Sequence, residues 1–359
     1  MKNTKKILLT LAMILLVGGC GKNDCNCPSD TNGNVSEEQT VVINDYSELY
    51  EKTVQSVVML KVQRKNDRSE VVATGSGVVA FEEGEYAYIY TNAHVVKNLL
   101  SDYEVEVVFS NAYGFVSGES EVATLVGKDE NEDVAVLRIK KSTKYKLVTI
   151  GDSEALQKGD WIYTIGSPLG KFNYTTAGNI ANTKVAIDLD SSKTGVITPV
   201  YAIMFDASIN QGNSGGALFD KEGKLVGITT LRYDDVYGMY GALPINYFGK
   251  VAKHLMVNGT KYTRPALSLD LLSVNELGVR RSEYGISSYV TTGAYVKTSL
   301  ENNVIAQSII TAVNGKTINS TTDFAVEILK YSVGDTITLT LINKDGLNTR
   351  TVSVTLHAW

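Results

Sequence analysis

The sequence predicts a mainly β protein with two six-stranded antiparallel barrels, followed by a β-sandwich-like domain with one or two helices. The chain has 359 residues, of which 43% are hydrophobic, enough for about two ordinary domains. From Ser47 onward, short apolar runs are separated by Gly, Asn and Asp, which is typical of antiparallel strands. Residues 257–261 have the composition of a boundary, so we expect one domain over 45–258 and another over 259–359.

The N-terminus predicts a processing signal that is not part of the fold. Three of the first six residues are lysines, and the apolar run 7–17 that follows is too short for an ordinary membrane span. The run ends in Val-Gly-Gly-Cys, which resembles a bacterial lipobox. Cleavage before Cys20 would remove a signal peptide over 1–19 and leave this cysteine to carry a lipid. A plain secretory signal and an uncleaved anchor are the alternatives, and all three place the body outside the cytoplasm.

Residues 20–44 predict a flexible tether rich in Asn, Ser, Asp and Gly. Cys25 and Cys27 lie within it, and no further Cys or His is near enough to complete a four-ligand metal site. We therefore expect no metal and no other cofactor. The two cysteines can pair with each other, pair between chains, be acylated or stay free. The net charge of -5, without a basic cluster beyond the N-terminus, gives no reason to expect a nucleic-acid partner.

Apolar runs between residues 54 and 244 predict the strands of the two barrels. The first barrel is expected from the runs 54–62, 71–81, 86–91, 105–109 and 134–139. The second is expected from the runs 161–165, 175–185, 204–205, 217–219, 225–231 and 240–244. Residues 250–256 are predicted to form a helix after the second barrel. Packing of the two barrels would leave a cleft between them.

The most informative segment is 210–218, in which glycines flank Ser214 and let backbone N–H groups approach a substrate carbonyl. A serine is unreactive at its free pKa, so this interpretation needs a base and an orienting carboxylate. His94 ends one strand-like run, and Asp133 leads directly into another. The order His, Asp, Ser is a known chain order for such triads. We therefore predict Ser214 as nucleophile, His94 as base and Asp133 as the orienting group.

Three residues compete for these roles. The chain has only three histidines, and His254 lies in the predicted helix, where we expect a structural or surface role. His357 is two residues from the C-terminus and is expected to be solvated. Asp129 competes with Asp133, but its charged and amide neighbours predict a solvated loop.

Further motifs stand in a familiar order beside the triad segments. They are the glycine-containing stretches at 74–79, 150–153, 165–170 and 241–244. With them, the chain resembles the HtrA/Deg serine proteases over about residues 45–258. The resemblance implies a trypsin-like protease domain followed by a PDZ domain, and usually a homotrimer built on the protease domain. It also implies acyl transfer with an oxyanion hole formed by the N–H groups of Gly212 and Ser214, joined by Asn213.

The predicted substrate pocket contains Ser208, Ile209, Gly241 and Ala242. Ser208 stands six positions before Ser214, where trypsin-like proteases that select basic P1 residues have a carboxylate, so we do not expect basic specificity. Ile209 and the family resemblance favour a small or medium aliphatic P1 residue. Such side chains are buried in folded proteins and exposed in unfolded ones, so the expected substrates are unfolded or misfolded exported proteins.

Residues 264–269 resemble the start of the family's PDZ domain, with Leu267, Ser268 and Leu269 in its carboxylate-binding loop. Ser268 stands where the family usually has glycine, and its Cβ restricts the loop. A helix over 324–329 should face a groove in which C-terminal peptides bind by β-augmentation. The alternative is a packing or assembly domain.

Two other classes of function remain open. One is a chaperone-like binder with the same fold but no proteolysis, and the other is a membrane-anchored scaffold that binds peptides through the PDZ-like domain. An esterase is disfavoured because Ser214 lies between strand-like runs, not in a Gly-x-Ser-x-Gly turn between a strand and a helix.

Overall fold

The computed structural model describes residues 46–97, 99–187, 200–232, 238–259 and 261–359. The predicted signal peptide, the tether, Cys20, Cys25 and Cys27 lie outside these ranges. Within them, no helix is both long enough and apolar enough to cross a membrane.

The first barrel is a closed sheet of six antiparallel strands. They are β1 (Val57–Arg64), β2 (Asp67–Glu83), β3 (Tyr86–Thr91), β4 (Tyr103–Ser110), β5 (Val116–Asp129) and β6 (Val134–Lys140). Their order is β1-β2-β3-β6-β5-β4, and β1 pairs with both β2 and β4, which closes the barrel. Alternate side chains point inward, and Leu60, Ile89 and Leu137 are fully buried there.

The second barrel has the same construction. Its strands are β7 (Trp161–Gly166), β8 (Tyr174–Ile187), β9 (Val200–Phe205), β10 (Ala217–Asp220), β11 (Leu225–Arg232) and β12 (Tyr240–Pro244). Their order is β10-β11-β12-β9-β8-β7, closed by pairing of β10 with β7. The predicted pair of six-stranded barrels is confirmed.

Two elements near the start differ from the sequence prediction. The predicted run 54–62 opens with a 3-10 turn over Val54–Ser56, preceded by helix α1 (Tyr46–Thr53), which the apolar pattern did not indicate. Strand β5 was also missed. Seven of its first nine residues are exposed, and its first six, VSGESE, are mostly polar, so no apolar run marks its start.

A separate apolar core joins the two barrels. It combines Val78 and Val134 from the first barrel with Phe219 and Ile228 from the second. Helix α2 (Ile245–Asn258) packs on this core through buried side chains, among them Phe248, Val251, Ala252 and Leu255. The helix ends where Gly259 takes a left-handed conformation (φ 62°) and donates its N–H to the Leu255 carbonyl. This shared core fixes the position of one barrel relative to the other.

The C-terminal residues form a smaller α+β unit. Its strands are β13 (Pro265–Ala266), β14 (Leu269–Ser273), β15 (Ala294–Ser299), β16 (Ile309–Val313), β17 (Lys316–Thr317), β18 (Thr336–Ile342), β19 (Arg350–Thr355) and β20 (His357–Ala358). The main sheet has the order β14-β15-β16-β18-β19, with β17 beside β16, and β13 pairs with β20. Helices α3 (Val274–Leu277) and α4 (Thr321–Ile328) complete the unit, and α4 corresponds to the predicted helix. Its PDZ character stays a prediction.

Candidate active site

His94 and Asp133 meet because their strands are paired. His94 lies in a 3-10 turn just after β3, and Asp133 immediately precedes β6, which pairs with β3 up to Thr91 opposite Ala135. His94 Nδ1 is 2.9 Å from Asp133 Oδ1 and 3.0 Å from Oδ2. The backbone N–H of His94 also donates to Oδ1 at 3.0 Å. The predicted base and carboxylate are therefore in direct contact.

Asp133 takes an uncommon backbone conformation. Its φ is 53°, in the left-handed region that costs a non-glycine residue on the order of 1 kcal/mol. Its side chain is buried, and its carbonyl accepts a hydrogen bond from Asn92 Nδ2 at 3.0 Å. Neighbouring contacts must offset this strain, and in this conformation the carboxylate contacts His94.

Thr230 on β11 links the carboxylate to the predicted nucleophile. Its Oγ1 donates to Asp133 Oδ2 at 2.5 Å, and its carbonyl accepts a hydrogen bond from Ser214 Oγ at 3.3 Å. Sequence reasoning missed this residue, because a threonine in an apolar strand gives no signal of its own. Among the residues that the structure describes, no hydrogen bond joins Ser214 Oγ to His94 Nε2. The hydroxyl is instead bound to the Thr230 carbonyl.

The turn that carries Ser214 is held by backbone bonds from both barrels. Gly215 N–H donates to the Thr229 carbonyl at 2.8 Å, and Ser76 N–H donates to the Ser214 carbonyl at 2.8 Å. Gly215 has φ 83°, and a Cβ there would lie 2.1 Å from the Ser76 carbonyl oxygen and 2.3 Å from Thr91 Oγ1. Only glycine fits this position.

Ser76, on β2 of the first barrel, connects two segments of the second. Its fully buried hydroxyl donates to the Gly212 carbonyl at 2.8 Å and accepts from Ser167 N–H at 2.9 Å. The motifs at 74–79 and 165–170 were noted only as part of a resemblance. Their contact through Ser76 gives both motifs a physical role, because it holds the segment before Ser214 against the first barrel.

The predicted oxyanion-hole residues are not equivalent in the structure. Asn213 N–H donates to the Asn210 carbonyl at 2.9 Å, so this group is already engaged. By contrast, the N–H groups of Gly212 and Ser214 donate to no other group in the described part of the chain. In this structure Asn213 N–H is thus engaged, while the N–H groups of Gly212 and Ser214 stay available as candidate donors.

The pKa of His94 is raised above 6.5. Partial burial acts to lower this pKa, but the Asp133 carboxylate raises it through its charge and its hydrogen bond, and the carboxylate prevails. An imidazole held in this way has a fixed tautomer, with Nδ1–H donating to Asp133 and Nε2 left as a proton acceptor.

The four predicted pocket residues divide into two kinds. Ile209 and Ala242 are buried in one apolar cluster inside the second barrel, and Gly241 lies beside Ala242 on β12, opposite Met204. Ser208 is exposed, and its carbonyl accepts a hydrogen bond from a Thr176 hydroxyl at 2.8 Å. Three of the four positions thus belong to the buried interior of the second barrel, and Ser208 is the exposed one.

The competing residues lie elsewhere, and the expectation about one of them is wrong. His254, on α2, has its Nε2 3.2 Å from the Lys261 carbonyl oxygen. His357 is exposed, as expected, and its Nε2 lies 3.2 Å from a Glu301 carboxylate oxygen. Asp129 is not in a solvated loop: it is 1% exposed and accepts hydrogen bonds from three backbone N–H groups. In the described ranges no group of three or more His, Cys, Asp or Glu could hold a metal ion.

Comparison with known proteins identifies a matching family and several relatives. A family model described as a trypsin-like peptidase domain matches residues 75–228. The serine protease Do-like HtrA of Lactococcus lactis subsp. cremoris (strain MG1363) is 32% identical over 291 residues, which cover 77% of this chain and 69% of that protein. The serine protease Do-like HtrB of Bacillus subtilis (strain 168) is 32% identical over 78% of this chain and 61% of its own length.

Solved structures show the same fold. The HtrA-type protease AlgW with tripeptide has a TM-score of 0.62 at 22% identity, covering 88% of this chain and 97% of that one. The serine endoprotease from Yersinia pestis has a TM-score of 0.53 at 26% identity, covering 88% and 98%. The two-barrel fold, the trypsin-like family match and the HtrA relatives together establish that this chain belongs to the HtrA family of trypsin-like serine proteases.

Proposed function

We propose that the chain is an endopeptidase that works through an acyl-enzyme. Ser214 Oγ attacks the scissile peptide carbonyl while His94 Nε2 accepts its proton and then donates it to the leaving amine. Asp133 holds the imidazole and stabilises the imidazolium. The observation that carries this proposal is the contact of His94 Nδ1 with both carboxylate oxygens, at 2.9 and 3.0 Å.

The oxyanion that forms on the substrate would be stabilised by the N–H groups of Gly212 and Ser214. Losing one such donor typically raises the barrier by about 3 kcal/mol. Before attack, the Ser214 hydroxyl has to turn from the Thr230 carbonyl towards His94 Nε2.

The proposed substrates are unfolded or misfolded exported proteins with small or medium aliphatic P1 residues. Support comes from the family resemblance, from the aliphatic side chain of Ile209 and from the uncharged Ser208. Because position 208 is a serine, a basic P1 side chain would have no carboxylate partner there. Aliphatic P1 residues become accessible only when a protein unfolds.

A second proposed function is peptide binding by the C-terminal unit. Strand β14 lies at one edge of the sheet and contacts α4, which is the arrangement that β-augmentation needs. In the loop before β14, however, Ser268 N–H donates to Glu301 Oε1 at 2.7 Å and Leu269 N–H donates to the Leu267 carbonyl. An incoming C-terminal carboxylate would have to displace Glu301 to reach the Ser268 N–H group.

The protease is proposed to act as a lipid-anchored homotrimer on the extracytoplasmic face of a bacterial membrane, with Cys20 carrying the lipid. The lipobox-like sequence and the family resemblance support this proposal. Incorporation of labelled palmitate that Cys20→Ala abolishes, and a trimeric mass by light scattering, are the expected results. A strictly monomeric mass would refute the trimer.

Cleavage of reduced casein by the full chain, beside Ser214→Ala, tests the proposed endopeptidase. We expect cleavage that the variant loses, with new C-termini at aliphatic residues in mass spectrometry. No cleavage by either form, even with heat and hydrophobic C-terminal peptides, would favour the chaperone-like or scaffold function.

Peptide binding is tested separately by fluorescence anisotropy with a labelled peptide that ends in aliphatic residues. Glu301→Ala should bind it more tightly than the wild type, because the Ser268 N–H group is then released. The same peptide with an amidated C-terminus is the control and should not bind. Equal, carboxylate-independent binding to both proteins would contradict the proposed mode.

A further inference from the structure

The turn over 129–133, which ends at Asp133, is held by the segment 261–264 that follows α2. This segment lies beyond the expected end of the protease domain at 258 and beyond the trypsin-like family match. Two carboxylates of the turn contact it. Both are buried, and neither takes part in the proposed proton transfers.

The first contact is a buried ion pair between Glu132 and Arg264. Arg264 Nε lies 2.6 Å from Glu132 Oε1, and its Nη2 lies 2.8 Å from Oε2, a two-point contact that fixes the carboxylate plane. The two side chains are only 3% and 7% exposed. Tyr247 on α2 also donates its hydroxyl to Oε2 at 2.8 Å. Burial, together with the neighbouring Glu132 charge, raises the pKa of Tyr247 and keeps it a donor.

The second contact involves Asp129 at the other end of the turn. Its Oδ1 accepts from Asn131 N–H at 2.9 Å and from Glu132 N–H at 3.3 Å, which closes the turn. Its Oδ2 accepts from Tyr262 N–H at 2.7 Å. The turn is thus tied to the following segment at both ends, once through a side chain and once through the backbone.

These contacts meet next to the strained residue. Asp133 directly follows Glu132 and has φ 53°, the conformation that turns its carboxylate towards His94. A rotation of the Glu132–Asp133 peptide would relax this conformation and move the carboxylate away from the imidazole. Such a rotation also has to move Glu132, which Arg264 and Tyr247 hold.

We propose that Arg264 is a positioning residue for the catalytic aspartate, acting through Glu132, with Tyr262 assisting through Asp129. This proposal rests on the proposed role of Asp133. It means that the catalytic unit of the protease includes the segment that leads into the C-terminal unit. A purely structural ion pair would stabilise the fold without affecting His94.

The decisive variant is Arg264→Met, which keeps an unbranched apolar side chain but removes the guanidinium. Arg280→Met is the matched control, because Arg280 is exposed and pairs only at the surface with Glu283. The pKa of His94 is measured by NMR titration of the full chain in the Ser214→Ala background. With only three histidines in the chain, the signals can be assigned by replacing His254 and His357.

We expect Arg264→Met to lower the pKa of His94 by about one unit, as contact with Asp133 is lost. The sign is diagnostic, since removal of a cation that acted only through its charge would raise this pKa. With Ser214 restored, kcat should fall about tenfold while KM changes less than about twofold, because the defect lies in the transition state. Arg280→Met should leave all three quantities unchanged.

An unchanged or raised pKa of His94 in folded Arg264→Met, with kcat equal to that of Arg280→Met, would overturn the proposal. If Arg264→Met does not fold, Arg264→Lys takes its place, because it keeps the charge but loses the two-point contact. The titration does not depend on cleavage. A wild type that fails to cleave casein would therefore count against the proposed function, while the titration would still decide the role of Arg264.

Discussion

His94 is the residue whose titration should set the acid limit of activity. Its pKa is raised above 6.5 by Asp133, and below that pKa the imidazolium cannot accept the Ser214 proton. We expect kcat/KM to fall as the pH drops through a value above 6.5. Asp133→Asn should move this acid-side fall in kcat/KM to lower pH and reduce kcat about 10⁴-fold. A pH–rate profile with a peptide substrate measures both the shift and the loss of kcat. The control variant His254→Gln should leave the profile unchanged.

Thr230 should matter for activity more than its sequence suggests. Thr230→Val removes the hydroxyl that donates to Asp133 Oδ2 at 2.5 Å and leaves a buried carboxylate oxygen with one partner fewer. A hydrogen bond to a charged group is worth about 1.5–3 kcal/mol, so we expect kcat to fall at least about tenfold. Thr338→Val, on the exposed face of β18, is the control for steady-state kinetics. Equal kcat values in the two variants would show that Thr230 is dispensable.

At the residue scale, the residues that could be predicted are those that chain order and glycine spacing indicate. Ser214, His94 and Asp133 could be selected because each lies in a segment with its own local pattern. The contacts of Ser76, Thr230 and Arg264 join residues that lie far apart in the chain. One sequence without its fold carries no local signal for such contacts. Asp129 was misjudged for the same reason, because its partner Tyr262 is 133 positions away.

The element that holds Ser214, the proposed nucleophile, is a turn with no room for a side chain at Gly215. Gly215→Ala would place Cβ 2.1 Å from the Ser76 carbonyl oxygen, so the turn has to move together with the Gly212 and Ser214 N–H groups. We expect kcat to fall at least about 100-fold, as for the loss of an oxyanion donor.

The matched control for this turn is Gly84→Ala. Gly84 also has a positive φ, 56°, but nothing lies within 4 Å of its added Cβ. Both variants therefore share a conformational cost of about 1–2 kcal/mol, while only Gly215→Ala adds the clash. If both lose the same stability in thermal unfolding and neither loses kcat, the tight fit around Gly215 is irrelevant to activity.

Elements with apolar runs were predicted well, and those without them were not. The apolar runs of β3 and β6 and the helix α2 follow directly from their sequences. Strand β5 escaped because most of its early side chains face solvent, so its pairing with β4 and β6 decides its conformation. Helix α1 escaped because only Leu49 and Thr53 of its eight residues are buried.

At the scale of the whole molecule, Lys250 joins the protease to the C-terminal unit. From α2 it donates to the carbonyls of Leu329 and Tyr331, just beyond α4. Burial lowers the pKa of Lys250 from 10.5 to about 8, with Asp335 opposing this effect. Since the folded state binds this proton less tightly than the unfolded state, stability should rise as the pH increases from about 8 towards 10.5.

Lys250→Met should remove this pH dependence. We expect the melting temperature of the wild type to rise relative to that of the variant over this pH window. Differential scanning calorimetry at matched ionic strength measures it. A constant difference between the two proteins across the window would contradict a lowered pKa for Lys250.

The sequence predicted that a second unit follows the barrels but not how it is attached. The ion pairs Lys184–Asp323 and Lys330–Glu154 join residues of the second barrel and its preceding loop to residues in or just after α4. Charged surface residues like these occur throughout the chain, and nothing local indicates which of them will pair. Composition shifts locate a boundary, while the contacts across it depend on the folded surfaces.

The division of the site between two barrels also determines when activity can first appear. His94 and Asp133 belong to the first barrel, while Ser214 and Thr230 belong to the second. During synthesis, no nascent chain that stops before Thr230 can assemble the site, however well its first barrel has folded. A copy in which either barrel opens loses the site in the same way. Completing both barrels is therefore a precondition for the proposed cleavage, so an unfinished or opened copy cannot cut its neighbours.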